Sequence, residues 1–387
     1  MMTAPDPQSR TRDTRRARLD AWIYRHRPLT HAIKTALATL IALLISALLS
    51  NWIQNPQWIV ITVVVVMTML PNLGGVMMRA MTRLVATLVA AAIALTVIYV
   101  SDEDPVATGA TLVVGVAIFT FLAQIPKYRQ VGVMCAVTLA VLLEFKEGGT
   151  TMVVWRGVDI LIGAAIALGV AIFVFPIRAS REMRFHMADT VESLGEIVTL
   201  AAADEETPEP QYEQLEDAIA KGIRAQRETL PLALIERKAV RNHKACLEHM
   251  MRSQRVILGL SRTLRRSYSH SSLGEATIGS TSGLDEVRSR LSRQLTDIAE
   301  AIRLSEAPGL DPQLKIDHAD FKVSLKQATR SSDTDMVSPQ AFAFAMEQII
   351  MVTESIQKDT CFIAFDDEDD EESKDRAADM LDESASP

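Results

Sequence analysis

Six stretches almost free of charge follow one another along the first half of the chain: Thr35 to Leu49, Trp58 to Leu70, Leu84 to Val100, Val106 to Ile125, Val131 to Leu143 and Gly157 to Phe175. From Arg178 onward charged residues return every few positions and apolar residues thin to a helical stripe. A bilayer core of about 30 Å needs roughly 20 helical residues, so the third, fourth and sixth stretches suffice. The second and fifth fall short, and need flanking residues, local thinning or a break. Beyond Pro176 the stripes Met187, Val191, Leu194, Val198, Ala201 and Cys246, Met250, Ile257, Leu260, Leu264 are spaced by three, four or seven residues, as on a helix face. So are Leu284, Val287, Leu291, Ile298, Ile302 and Phe342, Met346, Ile349, Ile356. The pattern predicts an all-α protein. A basic segment over 1–28 leads into a six-helix transmembrane domain over 29–178, followed by a cytoplasmic helical bundle over 179–363 and an acidic tail over 364–387.

Basic residues mark the cytoplasmic side of a membrane protein. Seven arginines precede the first span, and Arg79 with Arg83, Lys127 with Arg129, and Arg178 with Arg181 and Arg184 follow the second, fourth and sixth. The intervening connections are polar or acidic, as in Ser101-Asp102-Glu103-Asp104-Pro105. Both termini are therefore expected in the cytoplasm.

The third and sixth stretches repeat one another. RLVATLVAAAIAL, beginning at Arg83, matches RGVDILIGAAIAL, beginning at Arg156, at eight of thirteen positions, and each arginine follows a glycine pair, Gly74-Gly75 or Gly148-Gly149. The unit is three helices long, so its second copy enters the membrane from the opposite side and the halves are inverted, an arrangement of transporters. Short apolar segments in corresponding positions of such halves point to the substrate pathway, here the second and fifth.

Composition changes the picture little. The formal charge of −8 arises in the tail from Asp366 to Pro387, where eleven carboxylates meet only Lys374 and Arg376, giving −9 and leaving +1 for the rest. Such a block cannot bury enough surface to offset ordering entropy, and the tail is expected to be disordered. Cys135, Cys246 and Cys361 lie far apart, which supports neither a disulfide framework nor a metal knuckle. His186, His243, His249, His270 and His318 share no ligand spacing. There is no histidine dyad in the membrane helices, no serine elbow and no phosphate-cradling glycine loop, so neither an enzyme nor a cofactor is expected.

Ionisable groups in apolar segments cost about 2.5 to 3.5 kcal/mol at a helix centre, so each needs a reason. Lys34, Arg79, Arg83, Glu144, Arg156 and Asp159 are the candidates. The first three, near the cytoplasmic face, can snorkel and fix topology. Arg83 and Arg156 each open an apolar stretch, where arginine and free helix amides together attract anions, and inversion puts one such station at each mouth of the membrane. Asp159, three residues past Arg156, is either its ion-pair partner or a proton-binding carboxylate. Arg79, Thr62 and Thr138 complete the expected substrate pathway.

The run PQWIVITVVVVMTMLPNLGGVMMRAMTRLVATLVAAAIA, with KYRQVGVMCAVTLAVLL and WRGVDILIGAAIALGVAIFVFPIRASRE, resembles the fusaric acid resistance superfamily and the membrane domain of plant aluminium-activated malate transporters. The resemblance implies six spans, cytoplasmic termini, a bacterial inner membrane, and transport of organic anions by channel or efflux pump. Arg83 and Arg156 match the arginines opening the third and sixth helices of that family. The stretch Leu70-Pro71-Asn72-Leu73 lacks the acidic residue that precedes the glycine in the plant proteins. Longer bacterial exporters carry two six-span units, so a homodimer is implied. The expected partners are lipid, an organic anion and a second copy, not nucleic acid. The rival reading is a membrane-anchored scaffold or sensor acting through residues 179–363; deleting that region abolishes a scaffold's function and leaves a transporter's flux.

Overall fold

A computed structural model describes residues 26–52, 55–68, 72–101, 104–144, 149–174, 177–201, 209–269, 272–309, 311–331 and 338–360. The expectations for the arginine-rich start, the acidic tail and Cys361 lie outside these residues. Among the described residues the chain is helical, without strands. It divides into two compact units, at Ala179 and Ser180.

In the first unit, α1 is Arg27–Leu49, α2 Gln57–Met67, α3 Leu73–Ser101, α4 Pro105–Gln124, α5 Arg129–Glu144 and α6 Gly149–Phe173. Four of these are long and apolar enough to cross a membrane, over Pro28–Leu49, Leu73–Val100, Pro105–Gln124 and Val154–Phe173, while α2 and α5 are apolar but shorter. Their outward faces are apolar too. Only 6% of the window on α4 is buried within the protein, and Leu88, Val113, Phe121 and Phe173 are exposed. Water would penalise such a surface, and lipid does not.

Helix α2 packs against α1 and α6, helix α5 packs against α3 and α4, and α3 lies against α6. One apolar core gathers Ala38, Ile59, Val63 and Ala167 from α1, α2 and α6; a second gathers Ala86, Ala90, Phe119 and Leu139 from α3, α4 and α5. Small side chains permit these close approaches. A Cβ on Gly163 of α6 would stand 2.8 Å from Thr62 Cβ and 2.9 Å from the Ile59 carbonyl oxygen of α2.

The third and sixth helices begin well before the apolar stretches suggest. Leu73 and Gly149 start them, so Arg83 lies about 15 Å along α3 and Arg156 about 10 Å along α6. Hydropathy places a boundary at an arginine, whereas the backbone runs straight through it. Asn72 caps α3 by accepting a 2.8 Å hydrogen bond from the Gly75 amide.

The second unit holds α7 Ala179–Ala201, α8 Glu209–Glu236, the short α9 Lys238–Asn242, α10 Lys244–Tyr268, α11 Ser272–Gly279, α12 Leu284–Leu304, α13 Gln313–Ser331 and α14 over 338–360. Its core contains Val191, Leu194, Met250, Ile257, Leu291, Ile298, Phe342 and Ile356. Buried amides tie the helices together: Gln226 on α8 donates to Gln254 on α10 at 2.9 Å, and Gln294 on α12 donates to Gln357 on α14 at 2.9 Å.

Candidate functional site

Helix α6 presents Arg156, Asp159 and Gly163 on one stripe, spaced by three and four, toward α2. The Arg156 guanidinium lies over the Trp58 ring, 3.1 Å from its centre, and Thr62 follows Trp58 one turn later. The contacts climb both helices in the same order, so α2 and α6 run side by side in one direction. On α3 the matching stripe is Arg83, Ala86 and Ala90, and it faces α5. Arg83 Nη1 donates to Met134 Sδ at 3.4 Å, and Cys135 Sγ lies 3.9 Å from the Ala86 carbonyl oxygen. Thr138 follows Met134 one turn later. Each arginine is thus seated on the short helix that precedes the other arginine's helix.

Arg83, Arg156 and Asp159 are all at least nine-tenths buried, as are Thr62 and Thr138. The two guanidiniums are close enough to repel one another electrostatically, and Asp159 attracts Arg156 without forming a direct ion pair. Several buried polar atoms lack hydrogen-bond partners: Arg156 Nε and Nη1, Arg83 Nε, Asp159 Oδ1, Thr62 Oγ1 and Thr87 Oγ1. Each such atom costs on the order of 1 to 3 kcal/mol unless a ligand or water satisfies it.

These positions correct two expectations. Neither arginine opens its helix, so free helix amides do not assist them. Nor do they stand at opposite mouths, since their charges interact across the interior. The reason is the early start of α3 and α6, which carries each arginine two to three turns inward.

Arg79, one turn before Arg83, does not snorkel: it is buried, and Nη1 donates to the Val66 carbonyl at 3.4 Å. That carbonyl belongs to the last turn of α2, where oxygens lack intrahelical partners and the helix dipole is negative. Arg79 thereby supports the end of a short helix. Lys34 on α1 is likewise buried rather than extended outward. Trp58 escaped the sequence reading. Its signal was an aromatic residue at the start of the short second stretch.

An apolar exterior around a charged interior defines an integral membrane protein built of helices. Residues 32–170 match the model of a family described as fusaric acid resistance protein-like. The similarity covers most of the membrane unit and none of the second unit. No curated protein matches the chain.

Proposed function

We propose that the protein carries organic anions, aromatic or small carboxylic acids, across the membrane, as an efflux transporter or an anion channel. The observation that carries this reading is the pair of buried guanidiniums with unsatisfied N–H groups and, among the described residues, the single carboxylate of Asp159 acting on Arg156. A substrate carboxylate between Arg83 and Arg156 supplies acceptors for those donors and relieves the repulsion between the two cations. Asp159 keeps the empty site from carrying two uncompensated charges. The Trp58 face borders the place where an aromatic acid lays its ring, and Thr62 and Thr138 line the way.

Six crossings with inverted halves account for the helix neighbours. Exchanging α1 with α4, α2 with α5 and α3 with α6 leaves the main packing pairs unchanged. The shared direction of α2 and α6 requires an odd number of crossings between them, as α3, α4 and α5 provide. In this reading the termini are cytoplasmic, the membrane is the bacterial inner membrane, and two copies assemble as a homodimer.

Flux tests the proposal. Proteoliposomes holding the protein should accumulate an aromatic carboxylate such as benzoate faster than protein-free vesicles, and should not accumulate benzamide. A transmembrane proton gradient raises benzoate accumulation if the protein is a coupled pump and leaves it unchanged for a channel. Equal rates for benzoate with and without protein, across a panel of small carboxylates, would remove the assignment.

A further inference from the structure

The second unit carries a basic patch that nothing in the transport reading uses. Helices α8 and α10 are fixed in register by the buried Gln226–Gln254 hydrogen bond and, nearer the far end of α10, by the ion pair of Glu216 with Arg262. That register brings Arg227, Arg252 and Arg255, all exposed, to the outer edge of one seam. None of the three makes an ion pair with a described residue; Arg252 Nε reaches only the Glu248 backbone carbonyl, at 3.4 Å, and the Glu248 carboxylate faces Lys244 at 3.8 Å. Arg255 is held below the usual arginine range, first by partial burial and then by the charges of Arg227 and Arg252. Three like charges gathered without a counterion repel one another, and the arrangement is stabilised when an anion covers it.

The chain itself supplies the anion. Helix α14 ends beside α10, where Asp359 Oδ2 lies 2.6 Å from His249 Nδ1 and Cys246 Sγ donates to the Asp359 carbonyl at 3.5 Å. His249 is one turn from Arg252 on α10, about 4.5 Å along the axis, and Arg255 is a further turn away. Asp366 is the sixth residue after Thr360, a reach of up to about 20 Å, and from Asp366 to Glu372 every residue is a carboxylate. The segment from Asp366 to Pro387 carries a net −9. We infer that this acidic segment docks on the Arg227–Arg252–Arg255 patch of its own chain as a tethered electrostatic latch. An anionic membrane surface offers the same sign of charge, but Asp359 lies against the helix that carries Arg252 and Arg255, and tethering gives a short linker an effective concentration of order millimolar.

A labelled synthetic peptide spanning Asp366 to Pro387, titrated into detergent-solubilised chain and followed by fluorescence anisotropy, tests this. The chain truncated after Phe365 should bind the peptide saturably, with affinity falling about tenfold or more as salt rises from about 50 to about 300 mM. Full-length chain, whose own tail occupies the patch, should bind it about tenfold more weakly. The truncated chain carrying Arg227→Gln, Arg252→Gln and Arg255→Gln should lose binding to a similar degree while its circular dichroism melt is unchanged; if the melt shifts, the three single variants take its place. Equal binding by full-length and truncated chain, or by truncated chain with and without the arginines, overturns the latch. So does loss of peptide binding when the truncated chain moves from zwitterionic to anionic nanodiscs, a result that assigns the patch to the membrane.

Discussion

Asp159 stands one turn past Arg156 on a helix face, the spacing at which opposite charges usually pair, yet its Oδ1 has no hydrogen-bond partner. Two roles for Arg156 therefore separate in a mutant cycle. An anion-binding Arg156 makes Arg156→Ala lose about tenfold or more in carboxylate flux, since a charge-assisted hydrogen bond contributes about 1.5 to 3 kcal/mol, and adding Asp159→Ala does not restore it. Arg156→Lys should recover only part of the loss, because an ammonium cannot reproduce the planar two-point grip. Recovery of flux in the double variant would make Arg156 a mere counterion. In the second unit, the Cys246 thiol is pushed up to about 12, by burial first and by the Asp359 carboxylate next. At pH 8 it stays a thiol, so it should resist iodoacetamide in the folded protein and react on unfolding, as mass mapping of the labelled peptide reports. Because folding raises this pKa, the associated stability is complete below about pH 9 and is lost as pH climbs from there toward 12. Rapid labelling of native Cys246 at pH 8 would contradict the burial.

At the scale of elements, the short helices and the helices they lean on decide the architecture. Gly163 admits α2 against α6, and a Cβ there meets backbone as well as side chain, so neither can swing aside. Gly163→Val should destabilise the membrane unit by about 1 to 3 kcal/mol and lower its thermal midpoint in detergent. Gly157→Ala, at a position with nothing within 4 Å of the added atom, should leave the midpoint unchanged or raised. Equal melts for the two variants would mean that α2 and α6 do not pack closely. Much of this level was legible in sequence. The six apolar stretches fall on α1 to α6, and the striped residues Met187 to Ala201, Leu284 to Ile302 and Phe342 to Ile356 lie on α7, α12 and α14. What escaped has a physical reason: α8 and α13 bury few large apolar groups among many charges, so their periodicity is weak, and the starts of α3 and α6 are hidden by glycines and arginines that hydropathy scores as loop. The arginines themselves stand out in sequence as charges in apolar runs, but their seats on Trp58 and Met134 depend on contacts between distant segments that periodicity does not carry.

For the whole molecule, the division at Ala179 separates a unit suited to lipid from one suited to water. The segment Ser180 to Phe365, expressed alone, should be soluble and strongly helical by circular dichroism, because its core closes among its own helices. A reporter fused after Ile177 should be active only on the cytoplasmic side if the six crossings hold. The proposed sharing of one anion by Arg83 and Arg156 in the interior is tested most directly by benzoate flux in proteoliposomes for Arg83→Ala, Arg156→Ala and the pair together. Groups acting on one anion are coupled, so each single variant should lose about tenfold or more, and the double variant should lose little beyond the worse single. Losses that multiply would describe two independent stations, and wild-type flux in both single variants would take the arginines out of the pathway altogether.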